Sequence, residues 1–326
     1  MTSAAIAPTP IERSLDRLAG RELVVVSGKG GVGRTTISAL LGRAIARRGR
    51  RVLVATTGHD DRLAWMLGHE HLESTPTRVA DGLDIVRLVP NVCIREYGAL
   101  IVRSERISGA VFDNRVVRRL LAAIPGLDDF AVLGKAWHEA ARGSTWDTVV
   151  FDGPATGHLL YALGVPRAIL AAMPPGPLTR EAKAMDDCLT DPNRAEAVLV
   201  GLPETWPLTE LAQLGMALHA DVGIAVETIL VNGVWPQVSD AAYAAVAGSA
   251  TADPHARWLA EIAHGGRRHA EALATFAASE QAAACRAREL VVTPWRFDGV
   301  TTPERLDELA HRPGQPASVG VSSHIS

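Results

Sequence analysis

Cysteine is scarce in this 326-residue chain, with Cys93, Cys188 and Cys285 the only three. They lie far apart and form no C-x-x-C pair, which excludes a zinc clasp of that kind. A disulfide framework is equally unsupported, so a reducing compartment, the cytoplasm, is expected. Lysine is nearly missing: Lys29, Lys135 and Lys183 stand among many arginines. No apolar run reaches the roughly 18 residues that a membrane-spanning helix needs. The first ten residues lack a charged start followed by an apolar core, so no secretory signal is expected. A net charge of -3 gives no footing for a nucleic-acid partner.

Glycine is concentrated where it matters most. The apolar run Val24-Val25-Val26 leads through Ser27 into Gly28-Lys29-Gly30-Gly31-Val32-Gly33-Arg34-Thr35-Thr36. A buried strand, a glycine-rich turn and a helix start make the layout of a phosphate-binding loop. Glycines let successive backbone N–H groups face one anion, and the helix adds its positive end. All of residues 28–36 are therefore candidate nucleotide contacts, with ATP the expected ligand. Thr35 has the hydroxyl for direct Mg²⁺ ligation. Asp152, ending the apolar strand Thr148–Phe151, is the expected outer anchor of the same ion.

Short apolar strands alternate with helical stretches along the chain. Strands are expected at 23–27, 51–56, 83–88, 148–151, 197–202, 228–231 and 290–292, and a helix at 35–48. The pattern predicts an α/β fold with a doubly wound, mostly parallel sheet. Gly28, Asp152 and Asn232 all fall at carboxyl ends of strands, where such sheets bind ligands. Residues 1–18 read as a flexible arm and 312–326 as a disordered tail, leaving 19–311 as a single domain. Two helical insertions interrupt it, at about 90–142 and 236–288. The first carries the stripe Val116, Val117, Leu120, Leu121 and Ile124. The second is expected to break at Gly265-Gly266.

These motifs resemble a known group. The loop G-K-G-G-V-G with its early Lys29 is similar to the deviant phosphate loop shared by the arsenite-pump ATPase ArsA, tail-anchored-protein targeting ATPases, MinD, ParA and nitrogenase iron protein. The segment Trp146–His158 resembles the Y-D-x-V-x-F-D-T-A-P-T-G-H motif of the ArsA-like branch, with Gly153-Pro154-Ala155 standing for T-A-P. Pro125-Gly126-Leu127-Asp128-Asp129, Leu189-Thr190-Asp191-Pro192, Val198–Glu204 and Val231-Asn232-Gly233 follow in that branch's order. The resemblance implies a dimeric, Mg-dependent switch ATPase. Lys29 would act in trans on the partner's nucleotide, and Arg34 would contact the β- and γ-phosphates. Lys29, Arg34 and Asp152 would carry catalysis. Asn232 would read adenine, with Pro294 packed near the base, and Gly153–His158 would sense the γ-phosphate. The dimer could be a homodimer or a heterodimer with a paralogous ATPase, working for a client or membrane partner.

Departures accompany the resemblance. Thr57 stands where the branch has the aspartate that positions the attacking water, and Asp60 or Asp61 are the nearby substitutes. Arg34 replaces the usual lysine with a planar, bulkier cation. These changes keep open a second reading, a nucleotide-binding pseudo-ATPase subunit of a heterodimer. A third reading, a MinD- or ParA-like positioning ATPase, would want an amphipathic or basic tail that His311–Ser326 does not offer. An arsenite site would want converging thiols. A groove for apolar clients would favour methionine, of which there are five. His69-Glu70-His71, His255, His264 and His269 read as solvated surface, and Arg267-Arg268-His269 as a solvated helix end.

Overall fold

A computed structural model of the chain describes residues 8–9, 11–102, 127–249 and 254–311. The stripe at 116–124, Pro125-Gly126, the start of the expected arm and the tail 312–326 lie outside them.

Among the described residues nine strands form one sheet: β1 (Pro8–Thr9), β2 (Leu23–Gly28), β3 (Val52–Thr56), β4 (Thr77–Ala80), β5 (Leu83–Arg87), β6 (Thr148–Asp152), β7 (Ala195–Gly201), β8 (Ala225–Val234) and β9 (Glu289–Pro294). Their spatial order is β1-β9-β8-β7-β2-β6-β3-β5-β4. Every pairing is parallel except β4 with β5. The central strands are apolar throughout because helices cover both faces. Side chains alternate between those faces. Leu23, Val25, Leu53, Ala55, Val149 and Phe151 enter one core, and Val24, Val26, Val52, Val54 and Val150 enter the other.

The second core is closed by α1 (Ile11–Ala19), α2 (Arg34–Ala46), α3 (Arg62–Met66) and α12 (Pro303–His311). The first core faces α5 (Leu127–Ala141), α6 (Thr156–Ala172), α7 (Pro177–Thr190), α8 (Thr205–Ala217) and α10 (Pro254–Ala277). Three further helices are α4 (Pro90–Val102), α9 (Asp240–Ser249) and α11 (Glu280–Ala284), and a π-helical turn spans Leu218–Val222.

Two expectations need correction. Residues 11–18 are not a free arm. Ile11, Leu15 and Leu18, spaced 4 and 3 apart, form the apolar stripe of α1 and are buried. Arg17 on the same helix pairs with Glu196, Glu227 and Glu289 at the amino ends of β7, β8 and β9. Nor does the helix break at Gly265-Gly266: α10 runs through both. Those glycines are seats for other side chains. A Cβ at Gly265 would lie 2.3 Å from the Trp235 ring, and one at Gly266 2.1 Å from the Pro236 carbonyl oxygen.

Candidate nucleotide site

The loop between β2 and α2 is shaped by close packing on both sides. Gly28 ends a buried strand, and a Cβ there would sit 2.1 Å from the Val200 carbonyl oxygen of β7. Gly33 adopts φ 90° as the N-cap of α2, a left-handed conformation that disfavours any side chain. A Cβ on it would strike the Asn232 amide at 2.2 Å. The first turn of α2 contains no acidic residue. Its free N–H groups and positive dipole end are therefore left for an external anion.

Adjacent strands bring the two halves of the site together. Thr56 of β3 and Val26 of β2 are both register partners of Asp152 in β6. The Asp152 Oδ2 accepts hydrogen bonds from Thr35 Oγ1 at 2.8 Å and Thr56 Oγ1 at 2.9 Å. Its Oδ1 is buried with no partner among the described residues. Burial raises the Asp152 pKa, opposed by the hydroxyls of Thr35 and Thr56 and by the charge of Arg34. A buried carboxylate with one free oxygen beside a threonine hydroxyl suits Mg²⁺ and its water shell. Thr35 and Asp152 are thus brought together as the sequence predicts, and the residues present fit the ion.

The loop and the segment after β6 are also tied to each other. Arg34 Nη1 donates to the Gly153 carbonyl oxygen. Ser27 Oγ donates to the Pro154 carbonyl oxygen at 3.0 Å. Gly153–His158 therefore sits against the loop, with Thr156 opening α6. On the other side, Asn232 Nδ2 donates to the Val32 carbonyl oxygen at 2.9 Å, and Thr293 Oγ1 donates to Asn232 Oδ1 at 2.8 Å. That chain of bonds places Asn232 and Pro294, at the ends of β8 and β9, beside the loop.

Lys29 is turned outward, its side chain 62% exposed, and pairs with Glu210 of α8 at 2.9 Å. No sequence pattern pointed to Glu210, which lies 181 residues away. Among the alternative carboxylates, Asp61 is fully engaged. It accepts from the Leu72 backbone N–H at 3.0 Å and from Arg87 at 2.6 Å, and it lies 3.3 Å from His71. The Leu72 bond and His71 hold its pKa below the ordinary aspartate range. Asp60 is exposed and pairs loosely with Arg62 at 3.7 Å.

Among the described residues no group of three or more His, Cys, Asp or Glu side chains is placed to hold a metal ion. Each cysteine is buried and unpaired, and burial lifts each thiol to about 11. The Arg267–His269 stretch is not a solvated helix end, because it lies within α10. His269 Nδ1 accepts the Trp235 backbone N–H at 3.1 Å, and Arg267 lies over the Tyr243 ring at 4.1 Å.

A glycine loop capping a helix at the sheet's carboxyl edge, with a threonine–aspartate pair beneath it, defines a P-loop NTPase fold. Residues 21–174 match the family described as anion-transporting ATPase, so this stretch is similar to the ArsA-like ATPases. It is 28% identical over 233 residues to an arsenical pump-driving ATPase of Acidiphilium multivorum, covering 65% of this chain and 39% of that protein. It is 29% identical over 180 residues to the ATPase GET3 of Mycosarcoma maydis, covering 53% and 52%. A putative ATPase of Mycobacterium tuberculosis is 27% identical over 227 residues, covering 66% of each chain. The chain thus spans about two fifths of the length of the arsenical pump-driving ATPases it matches.

Proposed function

We propose that this chain binds and hydrolyses ATP and works as a dimeric, nucleotide-driven switch for a client or membrane partner. The observation that carries the reading is Asp152: buried, aligned by two threonine hydroxyls on Oδ2, and without a partner at Oδ1 among the described residues. Backbone N–H groups of residues 30–35 cradle the phosphates, and Arg34 adds positive charge on the side facing Gly153. Thr35 and Asp152 would hold Mg²⁺, which neutralises charge on the phosphate oxygens. Asn232 and Pro294 border the loop where a base would lie. Gly153–His158 is coupled to the loop through Arg34 and Ser27, so a change at the phosphates is passed to α6. Lys29 lies on an exposed face from which it can reach a partner's nucleotide once it leaves Glu210.

A second reading, a nucleotide-binding subunit without turnover, is favoured by one observation, Thr57 at the position of the water-positioning carboxylate. Calorimetric titration with ATP, with and without Mg²⁺, tests the shared part of both readings. Binding strengthened by Mg²⁺, and that gain lost in Thr35→Ala, is the expected result. Absence of ATP binding would overturn both.

A further inference from the structure

A cavity of about 250 Å³ opens beside the site, between the end of β3, the segment after β6 and the first turn of α5. Thr57, His59, Arg87, Asp128, Asp129 and Pro154 supply its polar rim and the wall nearest the loop. Thr57 follows Thr56 and Pro154 follows Gly153, so the cavity adjoins the two residues that bond Asp152 and Arg34. Arg87 is occupied by Asp61 and by the His59 and Asp60 carbonyl oxygens. The cavity's carboxylates come from α5 alone, and of the two Asp129 is the less exposed.

We infer that Asp129 is the water-positioning residue of this chain, taking over from across the cavity the task that Thr57 cannot perform. The inference rests on the hydrolytic reading above. Asp60 and Asp61, the substitutes nearest in sequence, line no part of the cavity. Asp61 is held by three partners. Asp129 is held by no hydrogen bond or ion pair among the described residues. Burial raises its pKa, the charge of His158 opposes this, and Asp128 adds to it. A carboxylate made more basic in this way accepts a water proton more readily than a solvated one. The charged and titratable groups facing it are Asp128 on its own helix, His158 at the start of α6, His59 after β3 and Arg87 on β5.

In the step assigned to it, Asp129 accepts a hydrogen bond from a water molecule in the cavity. The water oxygen forms a bond to the γ-phosphorus while the bond from that phosphorus to the β–γ bridging oxygen breaks. ADP leaves with the electron pair, and the water's proton passes to the carboxylate and then to the released phosphate.

The test is single-turnover ATP hydrolysis by the full chain across pH, for wild type, Asp129→Asn and Asp129→Glu, with ATP affinity measured alongside. Asp129→Asn should bind ATP within about threefold of wild type. Its rate should fall by about 10²-fold or more. Asp129→Glu should recover part of that loss. The wild-type rate should decline on acidification through a pKa above the ordinary aspartate range, and Asp129→Asn should lose that dependence. An Asp129→Asn rate equal to wild type would overturn the assignment. So would a slow variant that keeps the wild-type pH profile, because a purely structural role would do that. Wild type that binds ATP and never turns over would instead overturn the hydrolytic reading, and this assignment with it.

Discussion

At the level of single residues, Asp152 carries an unusual burden, because its charge is unfavourable where it sits. Its raised pKa means that the folded chain holds the proton more tightly than the unfolded chain does. Stability therefore falls as the pH rises from the ordinary aspartate range to that raised pKa, and neutralising the group should restore it. Asp152→Asn keeps an acceptor for Thr35 and Thr56. It should raise the thermal midpoint of the nucleotide-free protein near pH 7, and calorimetry reads this directly. The gain should shrink only as the pH falls below the raised Asp152 pKa toward the ordinary aspartate range. Gly33→Ala should act in the opposite sense. A methyl group at φ 90° that also meets the Asn232 amide at 2.2 Å should cost about 1–3 kcal/mol and weaken ATP binding. Denaturant unfolding and an ATP titration check the two halves of that expectation.

At the level of elements, α1 pins the amino ends of three strands. Glu196 is fully buried and bonded by both Arg17 Nε and Nη2. Arg17→Ala would leave that carboxylate without its main partner, and removing one side of a buried pair costs about 3–5 kcal/mol. Chemical denaturation should show that loss with little change in ATP affinity, since the network lies at the opposite edge of the sheet from the loop. Much of the element order was readable in the sequence. The β-branched runs of β2, β3 and β6 admit few alternatives, and the glycines of the loop mark where β2 must turn into α2. The edge strand β4 was missed because it is short, antiparallel and only partly buried, which leaves no clean alternation. The α1 stripe was overlooked although Ile11, Leu15 and Leu18 carry a helical spacing. Gly265-Gly266 was misread because a packing glycine and a breaking glycine look alike until Trp235 and Pro236 are in place. Glu210 beside Lys29, and Asp129 across from Thr57, depend on contacts distant in sequence that no local pattern encodes.

At the scale of the whole molecule, the three buried thiols give an overall check on packing. With thiol pKa values about 11 and side chains enclosed, Cys93, Cys188 and Cys285 should resist a thiol reagent in the native protein and all react in denaturant. Rapid labelling of the native chain would show that the core around them opens. The proposed dimer has its own test in complementation. Lys29→Ala lacks the residue that would act on the partner's nucleotide, and Asp152→Ala lacks its own metal anchor. Each should be inactive alone. Equal mixing of a homodimer should restore about a quarter of wild-type turnover, because half the dimers are mixed and each holds one complete site. No recovery in mixtures shown to exchange subunits would argue against Lys29 acting in trans.

The most direct test of the central claim is single-turnover, Mg²⁺-dependent hydrolysis of ATP by the purified chain, compared with Asp152→Ala. The expected result is measurable release of phosphate by wild type and a loss of at least about 10²-fold in the variant. Tight ATP binding with no phosphate released by wild type would contradict hydrolysis and leave a nucleotide-binding subunit. Equal rates in the two proteins would show that the activity does not arise at this site.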